Sequence, residues 1–575
     1  MISLVINLKK KRKTKMSEEA SSIIGTTGSV FGIDLGTTFS AIAYLNEAGE
    51  PQTISNTKSS KVTPSVVYVQ ENVPEGKEPE VLIGETALSK EAADPTFVHR
   101  LFKRRFGDAN ADVTVNGKPW SPTDFSAALL KGMVEDAKVS GFNVHDVVIT
   151  HPAYFSPDDI EATKKAGEQA GLNVLQMLPE PVAAALFYGI RQSGQTKTIA
   201  VYDLGGGTFD ATLVRIEENS FQILDFDGRK TLGGADWDQK IIDWCIDQAV
   251  EESGISRESI TDDADAMAEL RAKAVQAKID LSDTEVTKVV FTAEDGRHKI
   301  ELTREKFEEL TKELLTETRD KMDALLRKAA EGNLKNLPGE RIEHVDDFLL
   351  VGGSTKMPQV MKMVKENFST YCANEPMFCD VNEAVAKGAA LKALALEMQE
   401  KVKTIVDNIK KDDPTLTQEE AEKKATEKYI ASTPLAPTVV KQVMAIETGG
   451  LASRSFGIVA YINDVQKISN LIIMKTKLPC ENEDTFGLRN AIGPSGGKLS
   501  LQVYSSTSED SEVDMNATDK NLKLLSDKSV DLPPNLAAGS PIRVRFSLSK
   551  DGMLSINSVD EKGNVFTADV NVKDE

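Results

Sequence analysis

Apolar positions in this chain keep two rhythms in turn, and the pairing of rhythms changes once along its length. Up to about residue 397, short and almost wholly apolar runs (Ala41–Leu45, Val147–Thr150, Val174–Leu178, Ile199–Tyr202, Phe348–Val351) are separated by stretches with helical spacing. Such runs read as strands covered on both faces, because a sheet with one wet face would alternate apolar and polar. The helical stretches include 122–140, where Phe125, Leu129, Met133 and Ala137 share a face. They continue with 157–171, Val182–Gly189, 237–253, 264–282, the charged stretch 304–330 and the alanine-rich 383–399. Strands alternating with helices predict an α/β domain. Residues 397–430 are charged, helical in pattern and broken at Asp413-Pro414, and read as a solvated pair of linker helices. From Pro434 onward the segments are short and alternating, with Gly, Asn, Pro and Asp turns: Val439–Ile446, Phe456–Ile462, Asn470–Thr476, Lys498–Tyr504, Ile542–Leu548, Leu554–Val559 and Val565–Val572. This pattern predicts an all-β module of sandwich type. The expected divisions are a flexible segment 1–29, an α/β domain 30–397, a charged linker 398–433 and a β module 434–575.

Chemistry concentrates where the apolar strand Ile199–Tyr202 runs into Asp203. Gly205, Gly206 and Gly207 follow, then Thr208 and Asp210, and a β-like run resumes at Ala211–Ile216. This is strand–turn–strand with a glycine tip. Glycines there permit positive φ and let backbone N–H groups approach an anion, while a carboxylate before the turn suits a hydrated divalent cation. A ligand-free tight hairpin is the other reading of this string alone. The string recurs, however. Phe31–Ser40 places Asp34 against Asp203, Gly36 against Gly205, and Thr38 within one position of Thr208, and Ala41–Leu45 again resumes a strand. Two Asp-Leu-Gly hairpins indicate a duplicated domain that grips phosphates from both sides.

Composition narrows the partners. The net charge of -21 argues against broad direct binding to nucleic acid or to acidic membranes. Four scattered cysteines, none in a Cys-x-x-Cys pair, fit reduced thiols and a cytoplasmic location. No apolar run is long enough to span a bilayer. Ile2–Ile6 precedes the basic cluster Lys9–Lys15, the reverse of a secretory signal. That cluster reads as a nuclear signal, a phosphate-binding arm, or sequence upstream of a true start at Met16. A second basic cluster, His99, Arg100, Lys103, Arg104 and Arg105, reads as a solvated face or a phosphate contact.

Seven motifs occur in order: Gly32–Thr38, Pro152-Ala153-Tyr154-Phe155, Glu180-Pro181, Asp203–Asp210, Leu232-Gly233-Gly234, Val351–Thr355 and Glu383-Ala384-Val385-Ala386. With them the chain resembles the heat-shock protein 70 chaperones from Val30 to its end. The resemblance implies an actin-like ATPase domain of duplicated ribonuclease-H-like halves, followed by a β-sandwich for extended peptides, with ATP and Mg2+ as cofactors. It places Gly36, Thr37, Thr38 and Phe39 on the nucleotide phosphates, and Asp34, Glu180 and Asp203 on magnesium through water. Gly205, Gly206, Gly207 and Thr208 become the second phosphate loop, with Thr208 a weak catalytic candidate. Gly234, Gly352, Gly353, Ser354 and Lys356 fall near phosphate and ribose, and Lys278 and Ser282 near ribose and base.

The departures from that family are equally specific. Its catalytic lysine precedes an Arg-Leu pair, but His99 stands before Arg100-Leu101 here. A largely neutral histidine supplies no fixed charge, and losing one such stabiliser costs roughly 10²–10³-fold in rate. The family's adenine-clamp glutamate and stacking arginine fall on Val275 and Ile279, and its interdomain arginine falls on Ile160. The leucine-rich linker is replaced by 397–430, and no helical lid follows the β module in this sequence. Such a pattern is similar to the atypical member of the fungal ribosome-associated complex, which forms a stable pair with a zuotin-type J-domain protein. That branch implies an ATP-binding co-chaperone with little or no hydrolysis. It would be cytoplasmic, on the ribosome through its partner, and would assist another heat-shock protein 70 on nascent chains. An active ATP-dependent chaperone with a truncated C-terminus is the alternative. A sugar kinase of the same superfamily is a third reading, which the β module disfavours.

Overall fold

Strands β1 (Val30–Asp34), β2 (Phe39–Leu45), β3 (Pro51–Thr53), β4 (Asp146–His151) and β5 (Asn173–Pro179) form one sheet in the order β5-β4-β1-β2-β3, with the short strand Thr63–Pro64 beside β2. Strands β6 (Lys197–Leu204), β7 (Phe209–Glu217), β8 (Ser220–Arg229), β9 (Asp347–Val351), β10 (Met377–Phe378) and β11 (Glu447–Gly449) form a second, ordered β10-β9-β6-β7-β8-β11. The two orders repeat each other in sense as well. The hairpins β1–β2 and β6–β7 are antiparallel, and the next strands, β4 and β9, run parallel to β1 and β6. Asp34 and Asp203 thus leave equivalent ends of equivalent strands. The computed structural model describes residues 29–568 except 71–72, 74–76, 92, 109–112, 191–195, 551–553 and 561–564. The basic cluster Lys9–Lys15, the expected segment 1–29 apart from Ser29, and the end of the last expected strand lie outside the described residues.

The central strands are apolar because helices cover both faces. Ile199, Ala200, Val201 and Tyr202 have no exposed surface. On one side lie α1 (Glu180–Gly189) and α4 (Ala384–Asp412), whose alanines allow close approach. On the other lie α2 (Gly234–Ser253), α3 (Ala264–Asp283) and the helix Arg304–Ala330.

Residues 398–433, expected as a solvated linker, are packed. Helix α4 runs unbroken past residue 397, and α5 (Gln418–Ser432), opened by a Thr417/Glu420 capping box, folds back on it. Val402 and Val406 meet Ala421, Ala425 and Tyr429 in the same core as α1. The run Val439–Ile446 is not the expected strand: Pro437 at the first turn opens helix α6 (Pro437–Met444), which buries Val440 and Val443. β11 then pairs parallel with β8, so the α/β unit extends to Gly449.

Beyond it, β12 (Ser455–Ile462), β13 (Val465–Ile472), β14 (Cys480–Gly487), β15 (Gly497–Ser506), β16 (Glu512–Asp514), β17 (Lys523–Leu532), β18 (Pro541–Leu548), β19 (Leu554–Asp560) and β20 (Val565–Ala568) form two sheets, β16-β13-β12-β15-β17 and β14-β18-β19-β20. Phe456, Val503, Val544, Phe546 and Ile556 belong to the core they share. β14 and β17 have no counterpart in the expected strands, because their charged alternation resembles loop. This module is tied to the α/β unit. Asp225 on β8 pairs with Lys475 at 2.8 Å, and Lys475 with Glu509 at 3.2 Å. Ile160, Phe155 and Ile223 line a small cavity with Leu451, Phe456 and Leu478.

Candidate functional site

Two loops carry most of the expected site. The first joins β1 to β2. Its Gly36 N–H donates to Ser40 Oγ at 3.1 Å, and Ser65 Oγ donates to the Gly36 carbonyl at 2.7 Å. The second joins β6 to β7 and is closed by the Gly205 N–H on the Thr208 carbonyl at 3.1 Å. The loops meet tip to tip. A Cβ on Gly206 would lie 2.0 Å from Thr38 Oγ1, and one on Gly207 would lie 2.1 Å from Thr37 Cγ2. Glycine is therefore demanded by the close approach of the opposite loop, and not by the positive φ expected at the tip, which Gly205, Gly206 and Gly207 do not adopt. Among the described residues, the N–H groups of Thr37, Thr38, Gly206 and Gly207 make no backbone hydrogen bond.

A third wall closes on the same loops. Gly234 N–H and Ser354 Oγ both donate to the Gly205 carbonyl at 3.0 Å, and Lys278 Nζ donates to the Gly234 carbonyl at 2.9 Å while pairing with Asp238 at 2.7 Å. Gly352 has φ +81°, and a Cβ there would meet Asp203 Oδ1 at 2.5 Å. The expected residues from Asp34 to Thr38, Glu180, Asp203 to Thr208, Gly234, Lys278 and Gly352 to Ser354 are thus brought together. Ser282 follows one helical turn after Lys278 and donates to its carbonyl at 3.5 Å. Phe39 is half exposed, and Lys356 is exposed at the end of its 3-10 turn. Val275 and Ile279, on the exposed side of α3, offer an apolar face beside Lys278.

Beneath the loops lies a crowd of acids. Burial, then the charge of Glu180, push the Asp34 carboxyl up to about 7, with Lys103 and a 3.2 Å hydrogen bond from Thr150 opposing. Burial, then Glu180 and Asp34, hold Asp203 well above the usual carboxylate range. Asp210 is raised by burial, Glu180 and Asp203, and accepts a 3.2 Å bond from the Ala153 N–H.

The cation facing these acids is one that sequence reasoning missed. Lys103 Nζ donates to the Leu35 carbonyl at 2.5 Å and to Glu180 Oε1 at 2.9 Å, with 2% of its side chain exposed. The basic cluster is therefore not a solvated face. The strand Val98–Arg100 ends at Leu101, whose φ of +54° turns the chain into the 3-10 helix Phe102–Arg105. Phe102 and Phe106 anchor that helix in the core. Arg104 Nε donates to the Gly207 carbonyl at 2.6 Å, and its guanidinium forks onto Asp236 at 2.6 and 3.2 Å. The apolar Phe102 and Phe106 flanking the basic run are the signal in the sequence. His99 itself lies against Phe125, ring centroids 4.4 Å apart, and burial lowers its pKa, so it stays neutral. Arg100 pairs with Glu91, which Arg271 also approaches at 3.6 Å, a bridge from α3 across to this segment.

Chemically, the site suits a polyphosphate. Unbonded N–H groups and threonine hydroxyls line the loop tips, and acids stand behind them to hold a hydrated cation. Among the described residues no group of three or more His, Cys, Asp or Glu side chains is placed to hold a metal ion directly.

The profile of the family described as Hsp70 protein matches residues 30–116 and 95–443. The chain is 36% identical over 379 residues to the chaperone protein DnaK of Thermosipho melanesiensis, covering 64% of this chain and 60% of that protein. It is 37% identical over 376 residues to that of Thermotoga petrophila, covering 64% and 59%. The matched region therefore spans less than two thirds of the length of these relatives.

Proposed function

This chain belongs to the Hsp70 family, and from that premise we propose that it is an ATP-binding chaperone subunit that hydrolyses ATP slowly or not at all. Members of the family bind ATP with Mg2+. The residues that would hold the pair here are the two glycine loops, Asp34, Glu180 and Asp203, and bound Mg2+ would screen the phosphate charge. Thr37, Thr38 and Gly205–Thr208 would orient the phosphates, Lys278 and Ser282 would lie near ribose and base, and Ile279 would pack on the base.

The observation that carries this reading is the contrast between two closely fitted glycine loops and a neutral His99 packed against Phe125 at the position where the family's lysine belongs. Ile160 adds to it. Where the family couples its domains through an arginine, this chain buries an apolar contact. The same reading includes the duplicated actin-like arrangement, a β-sandwich, and a stable pairing with a zuotin-type J-domain protein in a ribosome-associated complex. The partner would contact the ribosome, and the pair would assist another Hsp70 on nascent chains in the cytoplasm. β14, exposed along most of its length and paired only with β18 among the described residues, offers an open strand edge to an extended segment of the partner, with Glu481 and Glu483 already paired to Arg543 and Arg545.

A second reading is an active ATP-dependent chaperone, which would need Lys103 to leave Glu180 and act in place of the family's lysine. Single-turnover hydrolysis of labelled ATP decides between the two. Co-elution of a stoichiometric J-domain protein from native lysate tests the pairing, and its absence would remove that part.

A further inference from the structure

Lys103 does more than fill a gap in the core. Its ammonium is held by two oxygens of the site, the Leu35 carbonyl between the two threonines and Asp34, and Glu180 Oε1. The Phe155 ring lies 5.3 Å away. Its backbone is fixed by Phe102, Phe106 and the Arg104–Asp236 fork. A buried charge so placed is already desolvated and oriented, so it needs no recruitment when a polyphosphate arrives. Four carboxylates, Asp34, Glu180, Asp203 and Asp210, would otherwise repel that polyphosphate. In such a site a divalent cation normally overcomes the repulsion. Here a fixed positive charge opposes it from within, donating to Glu180 Oε1 at 2.9 Å with 2% of its side chain exposed.

We propose that Lys103 is a built-in counter-cation of the phosphate site, and that through it this chain binds ATP with little dependence on a divalent metal ion. The proposal rests on the nucleotide-binding reading above and specifies it. A cation tethered to Glu180 competes with a hydrated metal ion for that carboxylate. It therefore favours holding ATP over the metal-assisted chemistry of turnover.

The test is calorimetric titration of ATP into the full chain, in Mg2+ and in EDTA, for the wild type and for Lys103→Gln. The expected wild-type affinities agree within about threefold between the two buffers. Lys103→Gln is expected to lose about 30-fold or more in EDTA, as for truncation of a buried charge pair, and much less in Mg2+. Wild-type binding that is strong in Mg2+ and weaker by about 100-fold or more in EDTA overturns the proposal while leaving the nucleotide reading intact. Equal weakening of Lys103→Gln in both buffers also overturns it, since Lys103 would then be a plain phosphate or packing residue. No ATP binding in either buffer overturns the nucleotide reading itself. If circular dichroism shows the variant unfolded, Lys103→Arg and the wild-type pair of titrations decide the matter.

Discussion

At the scale of single residues, the site is defined by close approach. Gly206 faces Thr38 so tightly that even one methyl group has no room. Gly206→Ala is expected to shift the loop at a cost of about 1–3 kcal/mol. It should weaken ATP binding by about tenfold or more while leaving the far-ultraviolet circular dichroism unchanged; undiminished affinity would show that the tips do not hold nucleotide. His151 gives the pH dependence. Its Nδ1–H donates to the Pro152 carbonyl at 2.8 Å, and burial, reinforced by Lys103, lowers its pKa to about 4. The unfolded chain, near 6.5, binds the proton first, so this histidine's contribution is complete above about 6.5 and is lost as pH falls toward 4. The loss amounts to about 3 kcal/mol at most. His151→Asn, which keeps a donor for Pro152, should flatten the fall of melting temperature between pH 6.5 and 4, and an unchanged slope would remove the assignment. The hairpins that hold these groups were legible because Asp-Leu-Gly occurs twice. Lys103 was not, because a run of basic residues looks the same whether it faces water or turns inward, and the turn at Leu101 that drives Phe102 and Phe106 into the core is what carries it inward.

At the scale of elements, the strands of the α/β domain were legible because both their faces are covered, leaving apolar runs without alternation. The pair α4–α5 was not, because its buried stripe is Val402, Val406, Ala421, Ala425 and Tyr429 among many charges. Small residues bury little area each, so the stripe barely rises above the charged background. The helix α6 was read as a strand because Val439, Val440 and Val443 have high β propensity, and the proline before them starts a helix equally well. Tyr429 is the largest side chain in that stripe of α5. Tyr429→Ala is expected to destabilise the α/β unit by about 2–4 kcal/mol, read as an earlier urea transition followed by tryptophan fluorescence. A change under about 0.5 kcal/mol, the usual range for surface positions, would restore the view of 398–433 as a solvated linker.

At the scale of the molecule, two matching sheets carry the glycine loops, and a β module is joined to them by Asp225, Lys475 and Glu509 and by the apolar contact around Ile160. The charges around the two loops are unequally placed. His99 is neutral and turned onto Phe125, while Lys103 is charged and committed to Glu180. On the proposed reading, both arrangements serve a grip on ATP rather than its turnover. Among the described residues no helix is long and apolar enough to cross a membrane. The central claim, binding without efficient turnover, is tested most directly by single-turnover hydrolysis of labelled ATP on the purified chain, with and without an added J-domain protein. The account predicts that bound ATP stays uncleaved, at a rate roughly 10²–10³-fold below that of an active DnaK measured alongside, with no stimulation by the J-domain. Hydrolysis at the DnaK rate, accelerated by the J-domain, would contradict it.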